Sequence, residues 1–253
     1  MIRVSRCKEI LKSFIKSRLW WLYAKPVNDI ALLDISMVIA KRIGVKPFKV
    51  IKVVEAGFYN AMVFSFSCKG ITITSLLKEA SRDVLEGVML HEYAHCKLKH
   101  GLKLLCLASL LLFLSILIAI YIIYNSTTVA EVIVALMIFA IMYMAIQLTL
   151  RYVARRFEYE ADLFAVSYTS NSCAYINMLR TFLYYKSTKN RFLEILDSHP
   201  SPLNRIEYIL KNFPELSKCI ESAVVGPGGL EPPTYGSPLN APAFSHPKRS
   251  KDP

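Results

Sequence analysis

The spacing of apolar residues changes character along the chain, and each change marks an element. In residues 1–25, Val4, Cys7, Leu11, Phe14, Ile15, Leu19 and Leu22 recur at helical spacing and Trp20 and Trp21 follow; the pattern predicts an amphipathic helix. Residues 28–43 predict a second helix, with Asn28 able to cap it, Asp29 in its first turn and Gly44 just past its end. From 47 to 75 the period shortens. Lys49–Val54, Asn60–Phe66 and Gly70–Thr74 are β-branched or alternating runs separated by turn residues, which predict a small antiparallel sheet. Helical spacing returns over 82–100.

Two segments then lose amphipathic period altogether. Residues 102–124 carry one charge, Lys103, and residues 129–150 carry one, Glu131, each near an end. Both are longer than the ~20 residues that cross a bilayer core. The polar, uncharged connector Asn125-Ser126-Thr127-Thr128 makes a transmembrane hairpin the natural reading. Residues 151–186 predict a long helix leaving the membrane, and 203–212 a short one. From Val225 onward Gly and Pro dominate and no apolar period survives. That stretch reads as a disordered tail, with a composition resembling a reading frame that has run into a structural-RNA gene.

The expected fold class is α+β, mainly α: a domain with a small β-sheet and an inserted two-helix transmembrane hairpin. Its parts are a basic amphipathic segment (1–27), a first half-domain (28–101), the hairpin (102–150), a second half-domain (151–224) and the tail (225–253).

Charge orients this arrangement. The formal net charge is +12 and 54% of residues are hydrophobic, with a mean hydropathy of +0.36. Residues 1–25 hold seven basic side chains against one acidic one, Glu9. Lys97, Lys99 and Lys103 precede the first apolar segment, and Arg151, Arg155 and Arg156 follow the second. Basic residues gathered beside apolar segments fit a lipid bilayer with anionic headgroups, so no nucleic-acid partner is expected. The positive-inside rule puts both ends of the hairpin, and all that flanks it, on the cytoplasmic face of a cell membrane. The six cysteines, Cys7, Cys68, Cys96, Cys106, Cys173 and Cys219, form no CxxC pair and read as reduced, buried thiols of a cytosol-facing protein.

Candidate chemistry begins at His91-Glu92-Tyr93-Ala94-His95. Two histidines at i and i+4 lie one turn apart on one helix face, so both imidazoles can meet one ion. Glu92 is rotated away from ligation but within reach of a water at the ion. Zinc lowers the pKa of such a water, and a carboxylate can take its proton. Cys96 points about 100° away from His95 on a helix and is not counted as a ligand. The ordinary alternative for a bare five-residue pattern is a solvated helix face. A catalytic zinc needs a third protein ligand and an open position. Glu158 and Asp162 supply a second i, i+4 pair downstream: Glu158 can bind the metal while Asp162 accepts a hydrogen bond from a ligand histidine. Glu160 falls on the other side and reads as surface charge.

With these residues in hand, the chain resembles the HtpX-like membrane zinc peptidases, relatives of the CAAX prenyl endopeptidases, over roughly residues 50–210. Asn60-Ala61 resembles the family's strand motif, and Ile73–Leu77 its next strand. His91–His95 followed by His100 resembles its metal helix, and Glu158-Tyr159-Glu160-Ala161-Asp162 its downstream segment. His199-Pro200 and Arg205-Ile206 resemble its late pairs. The resemblance implies a zinc endopeptidase with one zinc per chain held by His91, His95 and Glu158. It implies Glu92 as general base and His199 as stabiliser of the developing oxyanion, polypeptides as substrates and a role in quality control. From the residues alone His199 is a histidine before a helix, and His100 a packing or surface residue. Arg205 is a candidate partner for a site carboxylate, and the strand beginning at Asn60 and Ala61 a candidate edge for an extended substrate. Two other functions remain open: a non-catalytic membrane adaptor that keeps zinc for stability, and a hydrolase of a non-peptide amide.

Overall fold

The computed structural model describes residues 20–56, 58–63, 68–186, 197 and 199–221. The amphipathic helix expected over 1–25 lies outside the described residues up to position 19, as does the tail expected from 225. Trp20–Tyr23 form one 3-10 turn.

Helix α1 spans Ile30–Ile43, and its buried residues Leu32, Ile35, Ile39 and Ile43 follow the helical period that makes one face apolar. Asp29, not Asn28, caps it. The helix starts at Ile30, and the Asp29 carboxylate accepts from the Ala31 and Leu32 N–H groups at 3.1 and 3.2 Å. Gly44 ends it at φ +69°, the left-handed conformation that a residue without Cβ adopts without strain.

Four strands, β1 (Lys25–Val27), β2 (Val50–Val54), β3 (Ala61–Val63) and β4 (Gly70–Thr74), form one sheet in the order β1-β2-β4-β3. The sheet is mixed rather than antiparallel. β4 pairs antiparallel with β3 but inserts between β3 and β2, and so runs parallel to β2. Period-2 patterning marks a strand but says nothing of its neighbour's direction. The strand expected through Leu77 stops at Thr74, where Ser75–Lys78 turn into the short helix α2. Residues 64–67, the rest of the run from Asn60, lie outside the described residues.

Helix α3 (Arg82–Lys97) carries the histidine motif. Its Tyr93 points away from the histidines into the core. There the phenol oxygen lies 2.7 Å from Ser36 Oγ and accepts from the Phe48 N–H at 2.9 Å, while the ring stacks on Phe48 at 3.9 Å. The middle residue of the motif thus fixes the helix against α1. The helical run expected to 100 breaks at Lys99, which has φ +55°.

Helices α4 (His100–Tyr124) and α5 (Val129–Tyr168) are long and apolar enough to cross a membrane, as a membrane protein requires. Between them, Thr128 and Glu131 form a reciprocal capping box, so Glu131 serves the turn. Helix α5 continues 40 residues without interruption, roughly 60 Å; the second span and the Glu158 segment are one helix.

The helix expected over 151–186 is two helices. Thr169 is extended, and α6 spans Ser172–Lys186. The turn is held from outside: Glu86 on α3 accepts from the Ser170 N–H at 2.7 Å and hydroxyl at 2.9 Å, and Asn171 Oδ1 accepts from the Ala174 N–H at 3.0 Å. Helix α7 (Pro202–Asn212), a 3-10 turn (Pro214–Ser217) and α8 (Lys218–Glu221) close the described chain.

The thiol expectation is also corrected. Cys68 pairs with Cys96 and Cys173 with Cys219 as disulfides. The partners are 28 and 46 residues apart in sequence, and only packing brings them together. Among the described cysteines Cys106 is free and exposed on the hairpin.

Arg42 donates to Glu86 at 2.6 Å and to the Tyr168 carbonyl at 2.7 Å, so Glu86 joins α1, α3 and the α5–α6 turn. Burial pushes the Glu86 pKa up, but the Arg42 and Ser170 donors outweigh burial and hold it below its usual value. A depressed folded-state pKa adds stability above the unfolded value and loses it as pH falls through the folded one. We predict that Glu86→Gln costs about 1–2 kcal/mol at pH 7. The gap from wild type should narrow as pH drops below about 4.3, read from thermal unfolding in detergent; a gap independent of pH would contradict this role.

Candidate metal centre

Three donors meet where α3 crosses α5. His91 and His95 present their Nε2 atoms 3.2 Å apart. Glu158, brought by the extension of the second apolar helix, lies 3.5 Å from each through its two oxygens. Donor atoms of the three all fall within 4.8 Å of one another, as a group that could hold a metal ion. His91 and Glu158 are buried, and His95 is half-buried.

The other nitrogen of His91 is fixed from behind. His91 Nδ1 lies 3.0 Å from Asp162 Oδ1 and 3.1 Å from the Tyr175 hydroxyl, and that hydroxyl donates to Asp162 at 2.7 Å. With a proton on Nδ1 facing a carboxylate, the His91 ring is oriented so that Nε2 is the nitrogen turned to the other two donors. Arg205 closes the arrangement. Its Nε and Nη2 donate to both oxygens of Asp162, at 2.8 and 2.5 Å, and Nη2 also reaches the Tyr175 hydroxyl at 3.3 Å. Asp162 and Arg205, both expected near the site, are joined in the structure as a two-point ion pair.

Tyr175 was not legible. It lies on α6 with no motif around it. One trace exists: a glycine in the interior of a buried helix is costly, and Gly87, one turn before His91, has no Cβ because one would meet the Tyr175 ring at 2.8 Å. The glycine makes room for the ring that reaches His91.

The field in the site is acidic. Burial drives the Asp162 pKa up, but the charge and hydrogen bonds of Arg205 prevail and hold it at about 2. Burial lowers His91, yet its bonds to Asp162 and Glu158 outweigh this and raise it to about 9. Burial and the charge on His91 push His95 down to about 3. Glu158 stays well below the usual carboxylate range, against burial, because His199 and His91 bond to it. Glu92 is raised, first by burial and further by the charge of Glu158. His91, His95 and Glu158 form a group that could hold one cation between them.

Of the remaining expected residues, Glu92 faces this field and its carboxylate accepts from the Val63 N–H of β3. His199 comes alongside, its Nδ1 3.1 Å from Glu158 Oε2 with the side chain 59% exposed. Asn60 and Ala61 open the edge strand but serve its turn. The Asn60 N–H donates to Thr74 Oγ1 at 3.1 Å, and Asn60 Oδ1 accepts from the Ala61 N–H at 3.0 Å. It is Val63, at the strand's far end, that reaches Glu92. Glu160 is not a bare surface charge: its carboxylate lies 3.1 Å from His100 Nε2. His100 is buried, with its ring stacked on Phe157 at 4.3 Å.

No curated protein sequence matches the chain. Among solved structures, the crystal structure of S. mikatae Ste24p is similar, with a TM-score of 0.57 at 18% sequence identity. The match covers 80% of this chain and 57% of that one, so this chain spans little more than half the length of its structural neighbour. At that identity the likeness speaks for the fold: a mainly helical domain with a small sheet and long apolar helices. Residues 31–212, which contain both apolar helices and every residue of the cluster, match the model of peptidase family M48. Together with the motif resemblance to HtpX-like peptidases, this match means that the chain belongs to peptidase family M48.

Proposed function

We propose that the protein is a membrane-bound zinc endopeptidase that hydrolyses peptide bonds of membrane or misfolded polypeptides. The observation that carries this reading is the donor triangle of 3.2, 3.5 and 3.5 Å formed by His91, His95 and Glu158. A tetrahedral zinc with bonds of ~2.0–2.1 Å separates neighbouring ligand atoms by about 3.3 Å. Two nitrogens and one carboxylate are the donor set of catalytic rather than structural zinc, which is typically closed by four protein ligands.

When bound, zinc supplies Lewis-acid polarisation and a water of lowered pKa. The chain's own residues do the rest. Glu92 is suited to general-base work because burial and Glu158 raise its pKa towards the working range. Its bond to the Val63 N–H holds the carboxylate at the end of β3. Asp162, Tyr175 and Arg205 keep His91 in one tautomer and one orientation. His199, beside Glu158 and more than half exposed, can donate to the oxygen that gains charge as the carbonyl is attacked.

β3 is the edge of the sheet among the described residues. An extended segment added to that edge, starting from Asn60 and Ala61, would run past Glu92 and be held by backbone hydrogen bonds with little demand on sequence. The same edge would suit an unfolded chain better than a folded one.

The site faces the cytoplasm in this reading because basic residues flank both outer ends of the hairpin and none lies in its connector. The disulfide pairs speak against that side, since such bonds persist in oxidising compartments; charge asymmetry is the stronger orienting force for short loops.

Purified protein is expected to bind about one zinc per chain, and Glu158→Ala to weaken binding beyond the ~10–100-fold that loss of an orienting partner costs. Metal analysis with chelator competition checks both, and unchanged affinity would point to another third ligand. Glu92→Gln should retain zinc and slow casein cleavage by roughly 10²–10⁴-fold; a variant that cleaves normally would assign the base elsewhere. In intact cells, residues 60–95 should resist external protease. Cleavage from outside would reverse the orientation.

A further inference from the structure

His95 has a supporting chain of its own, and it comes from the membrane hairpin. With Nε2 turned to the ion site, His95 Nδ1 faces His100 Nδ1 at 3.0 Å, and His100 Nε2 faces Glu160 Oε2 at 3.1 Å. Hydrogen-bond direction is fixed from the far end. A carboxylate only accepts, so the proton of a neutral His100 lies on Nε2 and its Nδ1 is left as an acceptor. His95 must then carry its proton on Nδ1, which frees its Nε2 lone pair. The reverse arrangement would leave His100 Nε2 without a proton against the carboxylate and put a proton on the His95 nitrogen that faces the ion.

Three features hold His100 in this place. Lys99 adopts φ +55°, a conformation uncommon for a residue with a Cβ, and the turn brings the first residue of α4 back beneath His95. The His100 ring stacks on Phe157 at 4.3 Å and 3°. The side chain is only 3% exposed, so water does not compete for its nitrogens. Phe157 and Glu160 both belong to α5, beside Glu158, so the two helices that cross the membrane meet around this ring.

We propose that His100, oriented by Glu160, is a positioning residue that sets the tautomer and ring angle of His95 for metal binding. The counterpart for His91 is Asp162; His95 receives the same support through one additional imidazole. The hairpin therefore does more than anchor the protein, because the first residue of one span and a carboxylate on the continuation of the other fix a ligand of the site. This inference rests on the zinc reading above.

The test compares two substitutions in full-length protein in detergent. His100→Phe keeps the stack on Phe157 but removes the acceptor. His100→Asn restores an acceptor near the Nδ1 position and a donor beside it. His100→Phe should lower zinc affinity by ~10–100-fold, the range for loss of a histidine-orienting partner, with the unfolding temperature of the zinc-free protein unchanged. His100→Asn should recover most of that loss, and Glu160→Leu should weaken zinc by a smaller factor than His100→Phe. Chelator competition monitored by zinc-sensitive fluorescence gives the affinities. Wild-type affinity in His100→Phe, or His100→Asn as weak as His100→Phe, overturns the positioning role and leaves His100 a packing residue. Wild-type protein that binds no zinc overturns the metal reading and this inference with it.

Discussion

Asp162 keeps a negative charge with no exposed surface, and three parts of the chain are arranged around that charge. Arg205 brings α7, Tyr175 brings α6, and His91 brings the motif helix α3. Taking a carboxylate out of water costs several kcal/mol, and leaving such a charge without its partner costs about 3–5 kcal/mol. The two-point bond to Arg205 and the bonds from Tyr175 and His91 offset that cost together. Each is therefore constrained by the others, and the geometry of His91 is a by-product of satisfying the buried charge. Among the described residues no buried side-chain nitrogen or oxygen lacks a partner.

The second constraint is mechanical. Glu158, Glu160 and Asp162 lie on a helix that begins at the far end of the hairpin and runs 40 residues. A continuous helix transmits position along its axis with little slack, so the carboxylates are placed by the hairpin as much as by the domain. The α4 end is tied as closely, because His100 is its first residue. An inserted membrane element has in this way become part of the frame of the site. The opposite face of α3 is held independently: Tyr93 is bonded to Ser36 and the Phe48 N–H, and Glu86 is bonded to Arg42 and Ser170. The motif helix is clamped on both sides, and its histidines have little freedom to search for a metal.

Much of this was legible locally. The i, i+4 spacing of His91 with His95 and of Glu158 with Asp162 follows from 3.6 residues per turn, and both pairs do share a face. The apolar runs on either side of Asn125–Thr128 are helices; the first matches its expected limits to within two residues, and the second starts where expected but runs on to Tyr168. Where local signals failed, a tertiary partner had intervened. The Thr169–Asn171 break is filled by Glu86 from α3, so a run of turn-forming residues inside a helical pattern was passed over. The strand through Leu77 ended early because Ser75 starts a helix and bonds to Ala56. Asn28 and Asp29 are both capping residue types one position apart, a margin that periodicity does not resolve, and the structure uses Asp29.

The sequence by itself determined the donor types, their helical spacing, the carboxylate between the two histidines and the pair of long apolar helices that separates the halves of the site. These are properties of neighbours along the chain, governed by helix geometry and by transfer of apolar residues out of water. Only the tertiary structure decided which groups meet across long intervals. Tyr175 reaches His91, Glu160 reaches His95 through His100, Cys68 finds Cys96, and β4 slips between β2 and β3. None of these pairings has a period or a fixed spacing, because each depends on how packed elements close over one another.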